Sequence, residues 1–513
     1  MKNLIVLFVF FLATHQFIHA QFGTVKSFYK ISATTGGFTG LSGQNIGFGS
    51  VSTNLGDINK DGIDDIATNI WDPVSFKPFL AVLFMNSNGT VKSHKLIGEE
   101  QGLSGIYFST AFTSSITNMG DLNGDGINDI AVGDTEAGGS NSRTGVVNII
   151  YLNTDGTVKS FKQISRDVIA SLPNNGSFGT GLANIGDLNN DGHIDLAVAS
   201  NSEVLNGAVG CIYILFLDSV QNIKSFRKIG ANTSGLNGDF SMILKIADGL
   251  GSIGDFNKDG VNDIAFYARF NKDSVSSLGA LGGLIIAYLN TNGTVKSHSR
   301  INYQSNGLQD LIPNDAFGQS IVKLNDLDGD GVYELAVGAP FDTTYNVGRG
   351  GSVRILFMNA DGTVKSAQKI DNLSGNFNQP ITDADYFGTI GPLGDFNNDS
   401  IPDLLVGSSG KDEGGTNKGA LYLLMLNGVP SVGLNDVRAN RIQVNLYPNP
   451  AKYQVQVSCP YPVTQITITD VTGKTIHQQK NNEPIQVQTW QAGMYYLQVN
   501  TTQGTATQKI IKQ

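Results

Sequence analysis

Residues Gly56 to Ala67 read GDINKDGIDDIA. Oxygen-bearing side chains stand at alternate places (Asp57, Asn59, Asp61), a glycine follows, and Asp65 comes three residues after Gly62. The same pattern returns five times, with first residues Asp121, Asp187, Asp255, Asp326 and Asp395, at steps of 64, 66, 68, 71 and 69 residues. Regular self-similarity of this kind marks a repeat architecture, in which each unit buries its apolar faces against its neighbours.

Two further elements run in phase with the acidic loops. GTVKS occurs at Gly23, Gly89, Gly156, Gly293 and Gly362, with the variant QNIKS at Gln221. Aromatic pairs precede the loops: Phe48-Gly49, Phe108-Ser109, Phe178-Gly179, Phe240-Ser241, Phe317-Gly318 and Phe387-Gly388. Between them lie apolar runs such as DIAVG and VVNIIYLN, and Asn-Gly or Asp-Gly pairs that suit tight hairpin turns. The unit reads as four antiparallel strands in a meander, and tandem units of this length spell an all-β chain folded as a β-propeller. The first GTVKS strand, from Gly23 to Ile31, has no partner strands before it, and the last unit lacks one after GALYLLMLNGVP. The N-terminal strand is therefore expected to complete the last blade and close a ring of six, an arrangement that leaves no unpaired ring ends. The alternative is an open array.

Oxygen ligands at loop positions 1, 3 and 5, a glycine at 6 and a main-chain carbonyl at 7 suit calcium, a hard cation that takes six to eight oxygens. Here the closing acid stands at position 9 rather than at position 12, so the loop belongs in a β-hairpin and not between helices. The expected ligand sets are Asp57, Asn59, Asp61, Ile63 and Asp65; Asp121, Asn123, Asp125, Ile127 and Asp129; Asp187, Asn189, Asp191, His193 and Asp195; Asp255, Asn257, Asp259, Val261 and Asp263; Asp326, Asp328, Asp330, Val332 and Glu334; and Asp395, Asn397, Asp399, Ile401 and Asp403. The position-7 residue contributes its carbonyl. Up to six calcium ions follow. A lone polar turn would also use Asp, Asn and Gly, but six in phase, each with an acid at position 9, point to metal. The loop from Asp326 has four acids and should bind best; the loop from Asp395 has Ser400 in place of glycine and should bind worst.

Bulk properties agree with an exported β protein. Residues 1–20 have the layout of a secretory signal: Lys2, an apolar run from Leu4 to Ala13, and Ala20 at the end. No later stretch reaches the eighteen apolar residues of a membrane helix. Two cysteines, Cys211 and Cys459, are too few for a disulfide framework, and no bridge is expected between them. The formal charge of −10 argues against nucleic acid as a partner. Nineteen of the 44 acidic residues occupy the loop positions named above, so folding should be linked to metal.

Phe-Gly before the loop, the D-x-[ND]-x-D-G-x-x-[DE] loop itself, and VGAP at Val337 to Pro340 resemble the FG-GAP repeat of integrin α heads and bacterial surface proteins. The resemblance spans residues 21–429 and implies a propeller with calcium held in the hairpin between the first two strands of a blade. Integrin heads have seven blades, so seven stays open beside the six counted. After a linker at 430–443, LYPNP at Leu446, DVTGK at Asp470, GMYYLQV at Gly493 and the terminal QKIIKQ resemble the type A sorting domain of type IX secretion in Bacteroidetes. Residues 444–513 are expected to form a small β-sandwich. It would be handled by the type IX machinery, placing the protein at the cell surface or outside.

No nucleophile elbow, zinc-protease motif or phosphate loop is present, so the chain is not expected to be an enzyme. A carbohydrate-active surface enzyme, lyase or hydrolase, is the competing reading. The connections between strands 2 and 3, and between one blade and the next, vary from unit to unit and share one face. Variable loops on a rigid scaffold are the usual carriers of recognition. Trp71, Tyr267, Arg269, Phe270, Tyr345 and Arg349 lie in them or beside them, and aromatic and Arg side chains are typical anchors for a protein or glycan ligand.

Overall fold

The computed structural model describes residues 21–40, 43–105, 108–138, 143–237, 243–271, 280–343, 348–429, 444–447, 449–459, 462–470, 474–501 and 504–512. The expected signal at 1–20 lies outside them, as do Tyr345 and the whole linker at 430–443. Every regular element described is a β-strand. The chain divides into two compact units, 1–431 and 432–513.

In the first unit the strands follow the repeat. Blade 1 comprises Ser52–Gly56, Asp65–Asp72, Lys77–Met85 and Val91–Ile97; blade 2 comprises Phe112–Gly120, Asp129–Asp134, Val146–Leu152 and Val158–Ile164. Blade 3 runs Phe178–Gly186, Asp195–Leu205, Ala208–Leu217 and Ile223–Ile229, and blade 4 runs Ile243–Gly254, Asp263–Asn271, Ala280–Leu289 and Val295–Ile301. Blade 5 runs Ser320–Lys323, Leu335–Ala339, Ser352–Met358 and Val364–Ile370. Blade 6 has only Phe387–Gly394, Asp403–Ser408 and Ala420–Leu426 from its own repeat. Its fourth strand is Val25–Ser32 from the start of the chain, antiparallel to Ala420–Leu426 with Ile31 opposite Leu421. The ring is thus closed by its two ends. One parallel bridge, Val209 to Lys245, joins blades 3 and 4 into a continuous sheet.

Burial explains the alternation. The second and third strands are apolar on both faces because each blade is sandwiched between two others; all seven residues of Val146–Leu152 are buried. The outer strands read buried-exposed-exposed, as in Val91, Lys92 and Ser93, because one edge meets solvent. The clusters span neighbouring blades: Ile66, Leu83 and Phe48 pack with Leu405, Leu421 and Ile31 across the seam between blades 1 and 6.

The aromatic-glycine pairs are the inter-blade joints. Gly179, Gly318 and Gly388 have positive φ (92°, 102°, 131°), and a Cβ on each would meet backbone of the preceding blade within 3 Å. Phe178, Phe317 and Phe387 are fully buried beside them. In blades 2 and 4 the joint is not the pair the sequence suggests. It is Phe112-Thr113 and Ile246-Ala247, each nine residues before the loop Asp, with Thr113 and Ala247 at φ 70° and 68°. Phe108 instead lies against Phe112, ring centroids 4.4 Å apart, and Phe240-Ser241 falls outside the described residues. Asn side chains add further stitches: Asn118 Nδ2 donates to Asn54 O (2.9 Å) and Asn184 Nδ2 to Asn118 O (3.1 Å).

The second unit holds one sheet of Asn445–Tyr447, Gln454–Ser458 and Ile485–Gln486 and another of Val463–Asp470, Thr475–Gln479, Gly493–Thr501 and Gly504–Lys512. Val455, Val457, Ile466, Ile468, Leu497, Val499 and Ile510 form its core. Both cysteines are free thiols.

Candidate metal loops and the cavity-bearing face

All six acidic loops lie in the hairpin between the first two strands of a blade, and their polar atoms repeat one wiring. The position-1 carboxylate accepts the N–H groups of positions 5 and 6: Asp57 from Asp61 (2.9 Å) and Gly62 (2.8 Å), Asp326 from Asp330 (3.0 Å) and Gly331 (2.7 Å). The position-3 side chain accepts from position 5, as Asn189 Oδ1 does from Asp191 (2.9 Å). Position 5 accepts from position 7, as Asp191 Oδ1 does from His193 (3.1 Å). This curl needs a left-handed residue at position 6. Gly62, Gly126, Gly192, Gly260 and Gly331 supply it, and Ser400 is held there at φ 66°.

The position-9 acids have a different setting from the rest. Asp65, Asp129, Asp195, Asp263, Glu334 and Asp403 are at most 1% exposed. In Asp129, Asp195, Asp263 and Asp403 one oxygen accepts an N–H from the end of the third strand, as Asp195 does from Leu217 (3.1 Å), and the other accepts from position 2, as Asp195 does from Leu188 (3.1 Å); Asp65 keeps only the third-strand contact, from Met85 (3.1 Å), and Glu334 only the position-2 contact, from Leu327 (2.6 Å). They tie the loop to the blade core. Burial pushes Asp129, Asp195 and Asp263 to about 6, Asp65 and Asp403 to about 7 and Glu334 to about 8, with like charges in the loop adding to the rise. Asp65 Oδ2 and Glu334 Oε1 are buried with no hydrogen-bond partner. Unpartnered buried oxygens are costly, and a cation beside them would remove that cost.

Among the described residues, Asp326, Asp328, Asp330 and Glu334 form the one set of three or more acids whose oxygens lie within 4.8 Å of one another. The other five loops carry an amide at position 3 and do not reach that convergence of carboxylates. The arrangement at Asp326 fits a hard divalent cation: four carboxylates converge, and one buried oxygen lacks a partner.

The inner strands enclose an axial space of about 570 Å³ lined largely by Ser, Thr and small residues. Beside it, on the face of the variable connections, a cavity of about 280 Å³ lies among blades 3, 4 and 5. Tyr267 and Arg269 line it, together with Asn201, Asp248, Asn314 and Phe341. Arg269 Nη2 donates to Asn314 Oδ1 (2.9 Å), and Asp248 Oδ1 accepts from Asn201 Nδ2 (2.7 Å) and pairs with Lys245 (2.6 Å). Tyr267 is 6% exposed. Burial raises that phenol above its ordinary range. Arg349 lies over the Phe341 ring, 5.8 Å from its centroid. Trp71 lines a second cavity of about 310 Å³ with Asn69 and Phe112. Phe270 is turned into the core between blades 3 and 4, because its place on the strand alternates with that of Arg269.

Sequence reasoning passed over Asp248, Asn201, Asn314 and Phe341, which reach the cavity from separate blades. It also passed over the lysine of each GTVKS or QNIKS segment, although that residue recurs in phase with the acids. Lys92 pairs with Asp61 at 2.9 Å, and each of the other blades repeats the contact.

Residues 121–198 match the FG-GAP-like repeat, residues 317–356 and 387–424 match the FG-GAP repeat, and residues 445–513 match the secretion system C-terminal sorting domain. The chain carries FG-GAP repeats and a C-terminal sorting domain. Human integrin alpha-6 is 31% identical over 157 residues, which is 30% of this chain and 12% of that protein. Mouse integrin alpha-2 is 28% identical over 187 residues, 34% of this chain and 14% of that protein. The chain therefore covers only a small part of these relatives. The FG-GAP repeats form the propeller, and the sorting domain marks the protein for type IX export to the cell surface or beyond. Among the described residues, no helix is long and apolar enough to cross a membrane.

Proposed function

We propose that this protein is a calcium-stiffened propeller that binds a protein or glycan ligand outside the cell through the face bearing its variable connections. The observation that carries the reading is the cavity at Tyr267 and Arg269. A guanidinium, a carboxylate, two amides, a buried phenol and an aromatic ring converge on a space suited to one sugar ring or one large side chain. Such a mixture of an apolar wall with a few placed polar groups is typical of ligand sites.

Calcium would be held at Asp326, Asp328, Asp330, Glu334 and the Val332 carbonyl, and at the equivalent residues of the other five loops. Its part would be structural: neutralising crowded carboxylates so that the hairpins hold the blades in place. The loops and the variable connections lie at opposite ends of the blade hairpins, so metal would stiffen the scaffold without touching ligand.

The experiment is a screen of immobilised glycans and surface proteins with the calcium-loaded full chain, alongside Arg269→Ala. Ligand capture that disappears in Arg269→Ala, with an unchanged melting temperature, supports the reading. Capture that persists in the variant removes the cavity from it, and bond cleavage among the captured ligands would replace binding with catalysis. A wild-type melting temperature that is the same in calcium and in chelator would remove the metal.

A further inference from the structure

Each blade sends one lysine from its outer strand onto the acidic loop of the same blade, always to the position-5 carboxylate. The ammonium-to-carboxylate distances are 2.9 Å (Lys26–Asp399), 2.9 Å (Lys92–Asp61), 2.6 Å (Lys159–Asp125), 2.8 Å (Lys224–Asp191), 2.9 Å (Lys296–Asp259) and 2.8 Å (Lys365–Asp330). Lys365 also reaches Asp328 at 2.7 Å. In every case the lysine takes Oδ2, while Oδ1 of the same carboxylate accepts the position-7 N–H inside the loop.

A single exposed ion pair contributes little to stability, and any one of these could be incidental. Six pairs on the same oxygen of the same loop position are a designed feature of the repeat. Charge arithmetic shows what they do. Three carboxylates and one ammonium leave a loop at a formal −2, which one divalent cation cancels. The loop from Asp326, with four carboxylates, stays one charge more negative. The unpartnered buried oxygens of Asp65 and Glu334 show independently that the loops have capacity the lysine does not fill.

We propose that these lysines are built-in counter-cations that set the calcium affinity of the loops. Without metal, the ammonium offsets part of the repulsion among the carboxylates and keeps the hairpin folded. With metal, it stays behind the position-5 carboxylate and opposes the ion, so affinity is weaker than the acids alone would give. A unit charge one carboxylate away from a divalent ion, in water and screened by salt, lowers affinity by about threefold to tenfold. The inference rests on the calcium reading, and the test separates the two.

The test uses the full chain carrying Lys→Met at positions 26, 92, 159, 224, 296 and 365, a matching set with Arg, and wild type. Melting temperature is followed as free calcium is raised from chelated to millimolar. In the Met set, the chelated protein is expected to melt lower than wild type, and the calcium midpoint to fall threefold to tenfold; the Arg set should follow wild type. Should the Met set fold only with calcium present, that supports the role, and the half-set Lys92→Met, Lys224→Met and Lys365→Met supplies the midpoint. A midpoint that stays put, or moves to higher calcium, while wild type responds normally would overturn the lysine proposal alone. A wild type that ignores calcium would overturn the calcium reading and this inference with it.

Discussion

Gly407→Ala should open the ring at the seam between blades 6 and 1. Gly407 lies in extended backbone, so alanine costs nothing in φ. The cost is steric: its Cβ would stand 1.7 Å from Gly49 O and 2.6 Å from Thr389 Oγ1, where ordinary contact begins near 3.4 Å. The Gly49 carbonyl must retreat by more than an ångström. It carries with it the hydrogen bonds of the seam, Thr389 Oγ1 to Gly49 O (3.2 Å), Phe48 N to Lys418 O (3.2 Å) and Asn45 N to Thr416 O (2.9 Å). Overpacking costs about 1–3 kcal/mol, and each of the three hydrogen bonds lost adds about 1 kcal/mol, so about 4–6 kcal/mol is expected. Gly62→Ala is the control. There φ is +90° and nothing lies within 4 Å of the added Cβ, so only backbone strain of about 1 kcal/mol is at stake. Both are measured by urea unfolding in saturating calcium, followed by circular dichroism. If Gly407→Ala costs no more than Gly62→Ala, the first and last blades do not meet as described.

Asp330→Asn removes one of four converging carboxylates and should weaken the tightest calcium site about tenfold in isothermal titration; an unchanged tightest site would place it in another loop. In chelator, the raised values of the position-9 acids, about 6 to about 8, mean that stability is fully present below the ordinary carboxylate range and is lost as pH rises through 6 to 8. The chelated melting temperature should fall from pH 5 to pH 8, and calcium should abolish or reverse that fall, because it binds the ionised form. Deleting residues 444–513 should leave the propeller inside the outer membrane, as read by protease accessibility of intact cells; surface exposure of the truncated chain would show export by another route.

The repeats and loops were readable because their chemistry is local. An Asn-Gly turn, a left-handed glycine and alternate carboxylates each satisfy a requirement within a few residues. Ring closure was readable from an orphan strand before the first unit and a missing fourth strand in the last. The aromatic pairs that precede the loops mark the inter-blade joints only in part: in blades 2 and 4 the joint falls at Phe112-Thr113 and Ile246-Ala247 instead. The structural requirement is a left-handed residue seven or eight positions before the loop Asp, and Thr113 and Ala247 meet it against their own preference because the neighbouring blade holds them there. Phe270 was expected at the surface for its residue type, but strand alternation sends it inward when Arg269 points out.

The cavity is hardest to read because it arises from an exception to the scaffold. Four residues after the position-9 acid, blades 2, 5 and 6 place Gly133, Gly338 and Gly407, each beneath the carbonyl of the next blade's joint glycine, with a Cβ allowed only 1.7 to 2.0 Å. Blade 4 places Tyr267 there. A ring cannot fit under a carbonyl at that spacing, so it lies beside Gly318, whose own Cβ would meet it at 3.1 Å. The backbone of the joint between blades 4 and 5 stays close, with a Cβ on Gly282 meeting Phe317 O at 2.4 Å and one on Gly318 meeting Gly283 O at 2.8 Å, so the ring is displaced to one side. Arg269, Asn314 and Phe341 line the cavity with it. Blades 1 and 3 also depart from glycine there, with Asn69 and Ala199, but the tyrosine of blade 4 is the largest of the six residues and the one that lines this cavity.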